Sequence, residues 1–301
     1  MNPDKNDDSQ GHSEEYFHEG RNHWYNPDFL DLMAKRWALH QYDSLLDIGA
    51  GMCHWTVLLT PYLQPNARVV AIDNDTKWAK SNGQIEHFFR KNNIDFDYKK
   101  ATAYKLPFPD NSFDVVTCQT LLIHLSDPAK ALMEMKRVVK KNGIVICVEP
   151  SNRIQAIMQD TSNQNDGIDT ILSRVKNSLA TEKLKIMNNN GNNSFGDLLT
   201  GAMNNIGFQQ IQSYLNDKLI SVYPPYDTPE QQAVINAFLT EGQSVQERAN
   251  FQSHYQSADD YMGFLKKHKP QRGNNKILDA IKNETYSNAG TSLMYMISGK
   301  K

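Results

Sequence analysis

The sequence predicts an α/β fold in which helices cover both faces of a mostly parallel β-sheet. Between residues 44 and 150, short apolar runs alternate with segments whose apolar residues recur at helical spacing. The connections are short, and such alternation is typical of parallel strands joined by crossover helices. A turn containing glycine follows the first apolar run, and an aspartate ends the second. Because the carboxyl ends of parallel strands meet at one edge of the sheet, we expect the functional site there.

Five strands are expected in the first half of the chain, most of them short apolar runs. They are Ser44–Ile48, Arg68–Ile72, Asp95–Lys99, Asp114–Cys118 and Ile144–Val148. Helices are expected after the first, second and fourth strands. The last of these helices begins at Asp127-Pro128, with the aspartate as N-cap and the proline as first helical residue, and ends at Gly143.

Beyond Pro150 the alternation loosens. The elements expected there are helices at Ile168–Leu184 and Phe195–Ile206, a sixth strand at Phe208–Tyr214 continued at Lys218–Tyr223, and a last strand at Leu293–Ile297. The segment Thr228-Pro229-Glu230-Gln231 is a capping box with proline at the first helical position, so a further helix is expected to begin there.

These elements predict four regions along the chain. Residues 1–15 form a disordered tail, residues 16–225 a core domain with N-terminal helices, residues 226–290 a helical insertion, and residues 291–301 the last core strand. A long insertion with capped amphipathic helices is not needed to close the sheet. We expect it to be a lid that packs with the N-terminal helices and covers the pocket of the functional site. A peripheral helical buttress and a dimer contact are the alternatives.

The composition is that of an ordinary globular protein. The chain has 301 residues, of which 39% are hydrophobic and 22% charged, and this balance excludes a wholly disordered chain. Lys and Arg number 32 against 34 Asp and Glu, so the overall field attracts neither nucleic acid nor an anionic membrane. Charges interrupt every apolar window well before the roughly 18 residues of a membrane span. We expect a cytoplasmic protein with no nucleic-acid or membrane partner.

No metal site is expected. The three cysteines, Cys53, Cys118 and Cys147, are far apart and form no CxxC pair, which indicates reduced and mostly buried thiols. Histidines are scattered through the polar N-terminal segment, which favours a solvated segment over a metal site.

The turn after the first strand carries the first functional signal. Asp47 precedes Gly49 and Gly51, and the second strand ends at Asp73. In a doubly wound sheet this arrangement places a carboxylate beside a glycine turn, where it can hold a ribose diol. A dinucleotide-dependent oxidoreductase is therefore one interpretation. Two features disfavour it. His54 stands where the dinucleotide-binding motif GxGxxG has its third glycine, and the Asp47 carboxylate would oppose a pyrophosphate but not a cationic ligand.

Four segments extend this signal and together resemble the class I S-adenosylmethionine-dependent methyltransferases. The segments are LLDIGAG (45–51), VVAIDND (69–75), LPFPDNSFDVVTCQTLLIHLSDP (106–128) and RVVKKNGIVICVEP (137–150). The resemblance implies a Rossmann-like sandwich whose seven-stranded sheet is mostly parallel with the last strand antiparallel. It also implies S-adenosylmethionine as cofactor, S-adenosylhomocysteine as product and a small-molecule substrate. A non-catalytic S-adenosylmethionine-binding module and an NAD(P)-dependent oxidoreductase remain the alternatives.

The resemblance also implies roles for individual residues. The methionine part of the cofactor would lie along Asp47, Gly49 and Gly51. The adenosine part and the amino acid end would be held by Asp73 on the ribose, Asn74 and residues 102–103 on the adenine, and Gln119 through its backbone. The family commonly has Gly-Asp-Ala before the LPF segment, where this chain has Ala101-Thr102-Ala103. The Thr102 hydroxyl can still accept a hydrogen bond and the Ala103 N–H can still donate one.

Alternatives stay open at the remaining candidates. Arg21 is a candidate for the cofactor carboxylate by bidentate pairing, and Tyr25 either covers the cofactor or fastens the first helix to the core. His124 and Glu149 are the catalytic candidates. His124 lines the acceptor pocket or bonds backbone, and Glu149 touches the substrate or bonds neighbouring backbone. Asp73 and Asp47 have the simpler interpretations of a helix cap and a turn residue.

Overall fold

The computed structural model describes residues 20–75, 83–239, 273–290 and 293–301. Its centre is a seven-stranded sheet of order β3-β2-β1-β4-β5-β7-β6. The strands are β1 (Ser44–Ile48), β2 (Arg68–Asp73), β3 (Asp95–Lys100), β4 (Phe113–Gln119), β5 (Val139–Ser151), β6 (Gln209–Leu215) and β7 (Leu293–Lys300). Strands β1 to β5 pair in parallel, and β7 is antiparallel to both β5 and β6. The predicted fold class is confirmed.

The helices lie between the strands as expected from the alternation. They are α1 (Pro27–Arg36), α2 (His54–Leu59), α3 (Gly83–Lys91), α4 (Pro128–Val138), α5 (Ile168–Met187), α6 (Gly196–Ile206) and α7 (Gly273–Lys282), and residues 229–239 are helical as well. Both predicted helix starts are confirmed. The Lys130 N–H donates to Asp127 Oδ1 at 3.0 Å, and the Gln231 N–H donates to Thr228 Oγ1 at 3.2 Å.

Two apolar clusters cover the two faces of the sheet. Because side chains alternate along a strand, Leu46 packs into one cluster and its neighbour Leu45 into the other. The first cluster includes Leu132 of α4 and Leu199 of α6, and the second includes Trp55 of α2. All residues of β1 are buried, as expected of a central strand covered on both faces. This burial fixes the register at which the strand-end residues meet.

Two local predictions are wrong. Gly143 does not end α4: the helix ends at Val138, and Gly143 lies inside β5, which begins directly at Val139. The run Lys218–Tyr223 does not continue β6. Within this run, Val222 alone forms a bridge, and its partner is Asn288. The Val222 side chain packs into an apolar cluster distinct from the two that cover the sheet.

That separate cluster is formed by the described part of the insertion and the segment before it. Its buried members are Val222, Tyr226, Ile235 and Tyr286. The helix at residues 229–239 contacts the N-terminal segment, residues 20–26, where His23 Nδ1 lies 3.8 Å from Glu230 Oε1. The expected tail at residues 1–15 and residues 240–272 of the expected lid lie outside the described residues, so the lid stays a prediction. Among the described helices, none has the length and apolar character needed to span a membrane.

Candidate functional site

The turn after β1 brings the backbone close to its neighbours. Gly49 and Gly51 have φ of +68° and +50°, a left-handed conformation that favours glycine. A Cβ at Gly49 would lie 2.7 Å from Leu121 Cδ1, in the turn after β4. Asp47 is 1% exposed, and its Oδ2 accepts a hydrogen bond from Thr56 Oγ1 in α2. The turn therefore combines a bare backbone with a buried carboxylate.

Asp73 joins the ends of β1 and β2. Its Oδ2 accepts the Gly51 N–H at 3.0 Å, and its Oδ1 accepts the Asp75 N–H at 2.9 Å. The Asp73 carbonyl accepts the Ala101 N–H at 2.9 Å, which brings the segment after β3 to the same place. A carboxylate has about four acceptor positions, so two backbone bonds leave room for a ribose diol. The simpler interpretation as a helix cap concerns residues 76–82, which lie outside the described residues.

The segment 101–105 forms a small turn beside this carboxylate. Thr102 is exposed, and its Oγ1 accepts the Tyr104 N–H at 3.3 Å, while Ala103 is buried. Asn74 is exposed at the end of β2. Asn74 therefore follows Asp73 directly along the chain, and Thr102 and Ala103 follow Ala101, which is bonded to Asp73.

The N-terminal segment packs on the end of β4. The Gln119 side chain donates to the Tyr25 hydroxyl, and Arg21 Nη2 donates to Thr120 Oγ1 at 3.4 Å. Arg21 and Tyr25 are 5% and 8% exposed, and the Tyr25 ring lies 5.2 Å from that of Trp55. Burial raises the pKa of Tyr25 well above its usual range, so the phenol stays protonated. Tyr25 thus both covers the end of β4 and fastens the segment to the core.

The two catalytic candidates differ in exposure. His124 ends the 3₁₀ turn Leu122–His124 and is exposed. Glu149 is completely buried, and its carboxylate accepts the N–H groups of Leu121, Leu122 and Ile123 at 3.0, 2.7 and 3.4 Å. Of the two roles considered for Glu149, substrate contact and backbone bonding, the structure shows backbone bonding.

The charges of these strand ends suit a ligand with mixed charges. Asp47 and Asp73 are buried carboxylates near the glycine turn, and Arg21 is a buried cation at the end of β4. A sulfonium amino acid with an ammonium group, a carboxylate and a ribose matches both signs. Asp47, buried before the glycine turn, opposes a pyrophosphate there. The residues therefore fit S-adenosylmethionine better than a dinucleotide.

Other openings do not compete with this edge. A cleft of about 320 Å³ is lined by Asp43, Ser44, Asn66, Arg68, Ser112 and Lys140. Ser44 and Arg68 begin β1 and β2, so the cleft lies at the opposite edge of the sheet, away from the carboxyl ends where ligands bind in such folds. Within the described ranges, no three His, Cys, Asp or Glu side chains are grouped as metal ligands.

Comparisons with known proteins agree with the geometry. Residues 46–147 match the family described as "Methyltransferase domain". The chain therefore contains a segment that matches this family, and its seven-stranded sheet has the class I methyltransferase fold. An "Uncharacterized methyltransferase YcgJ" from Bacillus subtilis is 36% identical over 120 residues, covering 40% of this chain and 46% of that protein. A "Demethylmenaquinone methyltransferase" from Geobacillus stearothermophilus is 32% identical over 119 residues, covering 40% and 50%.

A solved structure shows the same fold over a greater length. The crystal structure of the YcgJ protein from Bacillus subtilis superposes with a TM-score of 0.52 at 18% identity, covering 92% of this chain and 99% of that one. In sequence, the matches span about half the length of the curated relatives. The sequence relationship is therefore concentrated in the methyltransferase domain.

Sequence reasoning missed several residues that support the site. Tyr98 of β3 donates its hydroxyl to the Gly51 carbonyl at 2.9 Å, and Trp55 Nε1 donates to Thr117 Oγ1 at 2.8 Å. In β3 the half-buried residues Phe96 and Tyr98 alternate with exposed ones. This alternation of aromatic and charged residues is the sequence signal that could have predicted an inward-facing Tyr98. Lys185 of α5 lies next to the turn that carries His124, and no local pattern marks it.

Proposed function

We propose that this protein transfers a methyl group from S-adenosylmethionine to a small-molecule nucleophile. The observation that carries the proposal is the bonding of Asp73, which ties the ends of β1 and β2 and the segment after β3 together. This is the place where a ribose must lie between a glycine turn and an adenine rim. The family match over residues 46–147 supports the same assignment.

The residues at the strand ends divide the work of holding the cofactor. Asp73 would accept the ribose hydroxyls, and Gly49 and Gly51 would leave room for the methionine part. Asn74, Thr102 and Ala103 would border the adenine. Asp47 would face the ammonium group, Arg21 the carboxylate, and the Gln119 backbone the amino acid end. Each role agrees with the position of that residue along the carboxyl edge.

The chemistry requires positioning more than acid–base assistance. Bound S-adenosylmethionine supplies a methyl group already activated by its sulfonium. The protein then has to hold the acceptor atom in line with that methyl at about 3 Å and exclude water. His124, exposed on the turn after β4, would contact the acceptor and take its proton.

A radiolabel screen tests the proposal. The full chain is incubated with tritiated S-adenosylmethionine and pools of small molecules with nitrogen, oxygen, sulfur or carbon nucleophiles. We expect label in at least one pool, and none with Asp73→Ala. Asp97→Ala on neighbouring β3 removes an exposed carboxylate and should leave transfer unchanged. Cofactor binding without transfer to any pool would instead favour the non-catalytic binding module.

A further inference from the structure

The turn after β4 lies between the two sides of the site. Leu121 packs on Gly49 of the cofactor turn, and the 3₁₀ turn Leu122–His124 follows it. Thr120, just before, has φ of +48° and donates its N–H to the Val148 carbonyl at 2.8 Å. A shift of this turn would therefore move both Leu121, which packs on Gly49, and the side chain of His124.

A buried carboxylate holds the N–H groups of the turn. Glu149 of β5 accepts three consecutive amides, from Leu121, Leu122 and Ile123, within 3.4 Å. Cys118 Sγ lies 3.8 Å from the same carboxylate. A carboxylate that accepts several backbone amides fixes their positions, because moving any amide leaves a buried polar group unbonded.

A cation on a different element holds the opposite side of the turn. Lys185 Nζ of α5 donates to the Ile123 carbonyl at 3.2 Å and to Asn193 Oδ1. The loop after α5 closes on the same carbonyl, since a Cβ at Gly191 would lie 2.2 Å from it. The turn thus has an anion on its amide side and a cation on its carbonyl side.

We propose that Glu149 and Lys185 are paired positioning residues that fix the turn Leu121–His124 from opposite sides, so that α5 is mechanically part of the acceptor side of the site. The acceptor part of this proposal rests on the proposed function, whereas the fixing of the turn does not. Neither residue is assigned contact with substrate or cofactor.

The charges of the two groups depend on pH in opposite ways. Burial raises the pKa of Glu149 from 4.5 to about 7, although the three amides and Cys118 lower it. Burial lowers the pKa of Lys185 from 10.5 to about 8, although Glu182 and Glu149 raise it. Both are therefore ionised together between about pH 7 and about pH 8.

The other charged or titratable groups around Glu149 come from every neighbouring element. Cys118 and Cys147 lie on β4 and β5, Asp47 on β1, and Arg21 and Tyr25 in the N-terminal segment, while Glu182 faces Lys185 on α5. The hydrogen bond with Cys147 and burial raise the pKa of the Cys118 thiol well above its usual value, so the thiol stays protonated. The pKa values of Glu149 and Lys185 are thus shifted toward neutral pH, and His124, which carries an imidazole of the class that titrates in that range, ends the same turn.

Amide hydrogen exchange of the full chain, followed by NMR without cofactor, tests the proposal. We expect Lys185→Met to speed exchange of the His124 and Leu125 amides by at least about fivefold at about pH 7.5. Lys185→Arg retains a cation, so the exchange rates of these two amides should stay within about twofold of wild type. Lys183→Met, at an exposed position of the same helix, should leave them unchanged. The Val116 and Val145 amides of the central strands report that each variant is folded.

A pH series tests the Glu149 side. The three amides lower the pKa of Glu149, so an opening that breaks these bonds while Glu149 stays buried takes up a proton. After correction for intrinsic exchange, and in a His124→Gln background that removes the imidazole from the turn, protection of the Leu122 amide should therefore rise at least about threefold between about pH 6 and about pH 7.5. Glu149→Gln should abolish this rise, because its amide does not titrate. The proposal is overturned if folded Lys185→Met exchanges like wild type, or if the rise persists in Glu149→Gln. Failure of S-adenosylhomocysteine to bind would reject the proposed function alone, since these readouts need no ligand.

Discussion

Residues 44–151 and residues 152–290 differ in how their polar groups are bonded. In the first region the site is built where strands end, and the key contact, Asp73 to the Gly51 amide, joins neighbouring parallel strands. In the described part of the second region, one set of polar contacts joins α5 to distant loops. Glu182 pairs with Arg153 and accepts from Ser194, which itself accepts the Asn152 and Arg153 amides.

Under the proposed function, the first region would hold the cofactor and the second would contribute to the acceptor side. A cofactor presents the same groups each time, so a fixed order of glycines and acids at strand ends suffices to hold it. An acceptor is recognised by surfaces assembled from separate loops, whose contacts leave no local sequence pattern. Function can therefore be inferred at the cofactor side of this chain well before the acceptor side.

The largest expected effect comes from filling the glycine turn. Gly51→Val should abolish measurable S-adenosylhomocysteine binding, because the residue needs φ of +50° and the bare backbone approaches Asp73 and Tyr98. Titration calorimetry measures the loss, and helical circular dichroism should be retained. Gly201→Val is the matched control, since a Cβ there meets nothing within 4 Å. Wild-type affinity in Gly51→Val would place the cofactor elsewhere.

Asp73→Ala should be the next most severe change. It removes a charged acceptor for the ribose and also releases the Gly51 amide, at an expected cost of about 2–4 kcal/mol in binding, since hydrogen bonds to charged groups contribute about 1.5–3 each. Calorimetry with S-adenosylhomocysteine measures it, with Asp97→Ala as control. A variant within about twofold of wild type would reject the ribose assignment.

Glu149 links the two regions and gives a pH-dependent prediction. Its pKa is raised from 4.5 to about 7 by burial, so the folded protein holds a proton that the unfolded chain releases across that range. Protonated Glu149 therefore adds about 3 kcal/mol to the free energy of unfolding, and this contribution is fully present below about pH 4.5 and is lost as pH rises through about 7. Urea unfolding of wild type and Glu149→Gln should show the steeper fall of stability with pH in wild type. Parallel pH profiles would contradict this origin.

The smallest expected effects compare one helix cap in each region. Asp127→Ala should lower the global free energy of unfolding by about 0.5–2 kcal/mol, because α4 packs into the main core. Thr228→Ala removes a similar cap, but its helix packs into the separate cluster of Val222 and Tyr286. We expect it to speed amide exchange in residues 229–239 with little change of the global transition. Equal shifts of the urea midpoint would show one cooperative unit instead.

Much of the fold follows from local patterns in this sequence. The bounds of β1 match the prediction, β2 is one residue longer at its end, and β4 is one residue longer at each end, because runs of buried residues bounded by turns define these strands. Gly143 misled the prediction of α4, since a glycine can sit in a strand as well as stop a helix. The bonding of Glu149 depends on how β5 lies against the turn after β4, which no local pattern encodes.

The most direct test of the cofactor site is calorimetric titration of the full chain with S-adenosylhomocysteine and, separately, with NADH. The account predicts saturable binding of S-adenosylhomocysteine that is lost in Gly51→Val, and no binding of NADH, since the buried Asp47 carboxylate opposes a pyrophosphate at the glycine turn. Binding of NADH with no binding of S-adenosylhomocysteine would contradict the account and restore the oxidoreductase interpretation.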